Sequence, residues 1–142
     1  MSEMNTTGKN AASDLTWLLD GFKQRVSGVA TVLVLSADGL PSHSCTGLAR
    51  ESAEHLAAVT SGAYSLMSSV EQHFGGSGYV RQVVAQLGSR MFFATDAASG
   101  SLLAVIADLE ADAGQIGHEM KLLAIQVRDH LTNKSRADSP AE

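Results

Sequence analysis

One cysteine, Cys45, stands in 142 residues, so no internal disulfide can close and a reducing cytoplasm is the expected compartment. No charged-then-apolar leader opens the chain, and no apolar run approaches the roughly 20 residues of a membrane span. Basic charge is scarce as well. Ten Lys and Arg stand against fifteen Asp and Glu, a formal net charge of −5. The few cations are scattered rather than striped, which repels a phosphate backbone and sets nucleic acid aside as an expected partner. Recognisable catalytic spacing is missing too. There is no Gly-x-Ser-x-Gly elbow and no Gly-Lys-Ser/Thr. Gly75-Gly-Ser-Gly78 follows a helix and precedes a strand, the reverse of the order that aims backbone amides at a phosphate. The histidines at 43, 55, 73, 118 and 130 are dispersed. His43-Ser-Cys45 offers two ligands of a site that needs more, and His118-Glu119 lacks a second histidine four residues after the first. No catalytic residue, metal or cofactor is expected.

What is present reads as an architecture. The length suits one domain with a core of its own. Residues 1–12 and 132–142 are polar, aperiodic and expected to be disordered, which leaves 13–131 as the domain. Ser13 can cap a helix carrying Leu15, Leu18, Leu19, Phe22 and Val26 on one stripe, with Trp17 off it and Gly28 as a stop. Val29 to Leu35 is apolar on both alternating faces, the mark of a central strand. Asp38-Gly39 turns it, and Pro41 opens a short return strand through Cys45. After a long helix come strands at 79–87, 91–96 and 102–107, joined by links short enough for antiparallel hairpins. A final helix over 113–131 places Ile116, Met120, Leu123, Val127 and Leu131 in register to cover a sheet.

The central helix, near 51–74, has two faces. Leu56, Val59, Ala63, Leu66, Met67, Val70 and Phe74 form a large apolar stripe expected to lie on the sheet. Ala57, Ala58, Ser61, Gly62, Ser65, Ser68 and Ser69 form a small-residue face, and no charged side chain occurs from Ala57 to Val70. A solvated face normally carries Lys and Glu, so a second protein surface is expected to cover it. About 24 helical residues span roughly 36 Å, against about 23 Å for a seven-residue strand. A twin subunit across a two-fold axis would bury both overhangs and pair the 79–87 strands edge to edge. The expected homodimer interface is Ala57, Ala58, Ser61, Gly62, Ser65, Ser68 and Ser69, with Tyr79, Arg81 and Val83.

The order helix, two strands, long helix, three strands, helix, with an apolar strand ending in Ser36-Ala-Asp-Gly-Leu-Pro41, resembles the Roadblock/LC7 family. The likeness covers about residues 13–131. It is similar especially to actinobacterial members through Leu15-x-x-Leu18-Leu19, Ala37-Asp38-Gly39-Leu40 and Leu48-Ala-Arg50. The resemblance implies an α+β fold: a five-stranded antiparallel sheet in the order 2-1-5-4-3, the long helix on one face and the terminal helices on the other. It implies a homodimer through the central helix and third strand, a Ras-like small GTPase as partner, and a sensor kinase in the same signalling set.

Stimulated GTP hydrolysis can come from an inserted arginine or from reshaped switch segments. Arg25, Arg50, Arg81 and Arg90 are all available and no motif singles one out. The resemblance favours the second route. The expected function is thus a non-enzymatic homodimeric regulator or scaffold. The alternative is a small-molecule sensor of PAS or GAF type, which needs a concave pocket with convergent polar groups. An enzyme using Cys45 is a third class.

Overall fold

The computed structural model describes residues 15–97 and 100–138. The expected cap Ser13 and the expected tail 1–12 lie outside them, as do residues 139–142. Helix α1 covers residues 15–25. Then come β1 (Val29–Ser36), β2 (Pro41–Ser44), α2 (Arg50–His73), β3 (Gln82–Gln86), β4 (Arg90–Asp96), β5 (Ser101–Asp108) and α3 (Ala113–Asp138). The strands form one antiparallel sheet in the order β2-β1-β5-β4-β3, the order expected from the family resemblance. β3 is shorter than its apolar run suggests, because Tyr79, Val80 and Arg81 precede the first ladder pair, Gln82 with Thr95. α3 continues to Asp138, past the expected boundary at 131. Among the described residues no helix is long and apolar enough to cross a membrane.

Alternation along the strands sorts the core into two layers. On one face Val32, Val34, Met91, Phe93, Leu103 and Val105 meet Leu15, Leu19, Phe22 and Val26 of α1 and Ile116, Met120, Leu123 and Val127 of α3. On the other, Leu33, Leu35, Phe92, Ala94, Leu102 and Ala104 meet α2. β1 contributes to both, which is why it carries no polar alternation. Trp17 is exposed and sits edge-on to His130 of α3 at 6.1 Å between ring centres. Asp112 caps α3, its carboxylate accepting the Gln115 amide at 3.1 Å.

Two turns at one end of the sheet close on each other through Gly28. Its carbonyl accepts the Asp108 amide at 2.8 Å, its φ is +90°, and a Cβ there would stand 2.6 Å from the Cβ of Ala111. Both the backbone region and the space demand glycine. Gly28→Ala is expected to lower unfolding free energy by roughly 2 kcal/mol or more, read as a fall in urea midpoint with the slope unchanged.

Candidate functional site

The two faces of α2 are used the opposite way round from the sequence expectation. Ala53, Leu56, Ala57 and Thr60 are buried on the sheet, with Ala57 and Thr60 fully enclosed. The large apolar residues expected there are open: Val59 46%, Leu66 66%, Met67 42%, Val70 48% and Phe74 82% exposed. Of that stripe only Leu56 is buried and Ala63 half-buried. The physical reason is close approach, since small side chains let the helix axis come down onto the strands. The hydroxyls on that side find acceptors instead of water. Thr60 Oγ1 donates to the Leu56 carbonyl at 2.7 Å, Ser61 Oγ to the Ala37 carbonyl at 2.6 Å, and Ser68 Oγ to the Gly78 carbonyl at 2.7 Å.

Of the expected interface residues, Ala57, Ser61 and Ser68 are therefore turned onto their own chain. Ala58, Gly62, Ser65 and Ser69 are exposed on the neighbouring flank of the helix. Tyr79 is exposed, with its hydroxyl donating to Asp96 Oδ1 at 3.4 Å. Arg81 is exposed and Val83 half-buried at the start of β3. Val59, Leu66, Met67 and Val70 were missed as surface residues. The available signal was that small residues and hydroxyls interleave with Thr60 and Tyr64, the composition of a helix that must sit close to a sheet.

α2 packs over β1, β2 and β5, so on this side Val83 and Ala85 of β3 are only half covered. The two sheet edges are unlike. β2 has four residues, opens with Pro41 and carries a register shift between Val34 and Leu35 of its neighbour, devices that blunt an edge. β3 reads Gln82-Val-Val-Ala-Gln86, with no charge, no proline and no break in its register. The domain thus presents both an open helix face of large apolar side chains and an unprotected strand edge.

Tyr64 fastens α2 to this edge. Its hydroxyl lies 3.3 Å from the Arg81 carbonyl and 3.4 Å from that of Ala94, and Thr95 Oγ1 donates to the same Arg81 carbonyl at 2.9 Å. Burial first, and the negative charge of Asp96 second, hold the Tyr64 phenol protonated well above its usual 10.0. A group whose folded pKa is raised stabilises the fold below the unfolded value and loses that contribution above it. Stability is therefore expected to fall as pH rises past 10.0, and Tyr64→Phe should flatten that decline. Unfolding free energy measured from about pH 9 to about pH 11, around the ordinary phenol value, checks this; an unchanged slope in the variant would count against it.

Among the described residues no three His, Cys, Asp or Glu side chains group to hold a metal ion. Cys45 is buried, its sulfur 3.5 Å from the Val32 amide.

The fold is a three-layer domain whose middle helix keeps a large apolar face open, with a bare strand at one edge of its sheet. The Roadblock/LC7 domain family model matches residues 15–107, and the chain belongs to that family. A Roadblock/LC7 domain of known structure from Streptomyces avermitilis is 45% identical, with a TM-score of 0.77 over 82% of this chain and 97% of that one. Two MglB structures share the fold at 14% identity. The gliding protein MglB from Thermus thermophilus has a TM-score of 0.74 over 84% of this chain and 90% of that one. An MglB described in a tetrameric arrangement has 0.75 over 84% and 89%. Comparison with curated proteins found no match.

Proposed function

We propose that this domain is a non-enzymatic homodimeric platform for a Ras-like small GTPase. The observation that carries the reading is the open face of Val59, Leu66, Met67 and Val70 in a domain whose sheet also ends on the bare edge of β3. A second copy of the chain fits that face. Two α2 helices packed across a two-fold axis bury both apolar stripes, the exposed Gly62 and Ala58 flank lets them approach, and two β3 strands pair antiparallel about Val84. Completing the burial of these four side chains in both copies is worth on the order of 10 kcal/mol gross. Association itself costs roughly 4–15 kcal/mol. Helix packing alone thus holds a dimer weakly, and the β3 pairing is what makes it tight. The tetrameric arrangement of the MglB relative supports self-association in this fold.

The GTPase partner rests on family membership, and the joined helices and sheet provide a broad surface for it. Stimulation of hydrolysis by reshaping the switch segments is the route the family resemblance favours, and of the five arginines whose side chains are described three are held in ion pairs. Arg25, Arg50 and Arg90 are engaged with Glu119, Glu54 and Asp108 at 3.7, 3.1 and 3.2 Å. The test is calorimetric titration of Ras-like GTPases from the same genome, loaded with GDP or a GTP analogue, followed by single-turnover hydrolysis. Saturable binding that differs between the two states is expected, and absence of binding in both would overturn the reading. Arg81→Ala is expected to retain the stimulation; a loss of about 10³-fold would transfer the mechanism to an inserted arginine.

A further inference from the structure

The α3 side of the β3 edge carries a second feature. Among the cations whose side chains are described, Arg25, Arg50 and Arg90 have carboxylate partners, while Lys23, Arg81, Lys121 and Arg128 make no ion pair with any described residue. Three of those four converge. Arg81, ahead of β3, and Lys121 and Arg128, two turns apart on α3, line one pocket of about 550 Å³ between the α3 flank and the ends of β3 and β4.

The lining is completed by Gln82, Thr95, Asp96 and Tyr79, with Ala97, Ala124 and Ile125 as an apolar wall. Gln82 Nε2 is buried with no acceptor, the one such side-chain atom among the described residues. A buried donor without a partner is rare in folded proteins, and this one lies against Gly117 of α3. Asp96 already accepts the Tyr79 hydroxyl. Three cations against this one carboxylate leave a net charge of about +2 around the pocket. A volume of 550 Å³ lies within the roughly 300–1,000 Å³ of small-molecule sites.

We infer that the pocket between α3 and the start of β3 binds a small phosphomonoester: its dianion set among Arg81, Lys121 and Arg128, its organic group against Ala124 and Ile125. Guanidinium forks pair with phosphate and carboxylate oxygens alike, and the phosphate dianion brings a second negative charge that a carboxylate lacks. The site lies on the α3 face of the sheet, away from α2, and shares Arg81 and Gln82 with the β3 edge. The inference stands whether or not a GTPase is the partner.

The experiment is titration of the full chain, by calorimetry and by amide chemical shifts, with inorganic phosphate, phenyl phosphate and benzoate at constant ionic strength. Saturable binding of both phosphates is expected, phenyl phosphate the tighter, with shifts centred on Arg81, Thr95 and Arg128 and little response to benzoate. Arg81→Gln and Arg128→Gln should each weaken phenyl phosphate about tenfold, while Lys23→Gln, the unpaired cation outside the pocket, should leave it unchanged. Melting curves establish that each variant is folded. No saturation by either phosphate, equal binding of benzoate, or an equal loss in Lys23→Gln would overturn the assignment.

Discussion

Leu66→Glu combined with Val70→Glu is expected to convert the protein into a folded monomer. Both side chains are about half or more exposed in the single chain and make no part of its two core layers. In the proposed dimer they meet their own equivalents, so four carboxylates would be driven into an apolar contact without counter-charges. Desolvating unpaired charge costs several kcal/mol per ion, and the dissociation constant should rise by about 10³-fold or more. Sedimentation or light scattering at micromolar concentration reads the mass, and circular dichroism reads the retained fold. A variant that remained dimeric would remove α2 from the interface and leave only the β3 edge to explain association.

The same kind of substitution on the other face of the same helix has the opposite consequence. Ala57 is fully enclosed between α2 and the sheet, among Leu33, Leu35, Phe92 and Ala104. Ala57→Glu should therefore collapse the fold itself, lowering unfolding free energy on the order of 4 kcal/mol. A loss of this size is a large part of the stability a domain of this length possesses, so disappearance of the cooperative melt and recovery in inclusion bodies are the expected signs. A folded Ala57→Glu protein with a weakened dimer would mean that Ala57 faces a partner, and would reverse the orientation of α2 described above.

The same pair of sites separates what was legible along the chain from what was not. β1 was legible because Val29 to Leu35 has no polar alternation, and a strand without it must be covered twice. The hairpin was legible in Asp38-Gly39, and Gly39 indeed takes φ +93°. The faces of α2 were not. A hydrophobic stripe is assigned to the nearest core on the premise that a chain buries its largest apolar groups against itself. Here Ala53, Ala57 and Thr60 meet the sheet, and Leu66 and Val70 are held outward. The pairing pattern at the β3 edge was equally out of reach: Tyr79 and Arg81 share the strand's composition, yet Tyr64 and Thr95 direct their hydroxyls at the Arg81 carbonyl, and the ladder begins one residue later.

Sequence alone determined the order of elements, the double burial of β1, the turn at Gly39, the single unpaired cysteine and the family likeness, because each depends on local conformational preference or on period along a few residues. Only the tertiary structure decided which side of α2 meets the sheet, where the β3 ladder begins, and that Arg81, Lys121 and Arg128 share a pocket. Those outcomes depend on distances between residues far apart in the chain. Composition records what a face is made of, but the depth to which a helix can settle on a sheet is set by both surfaces together.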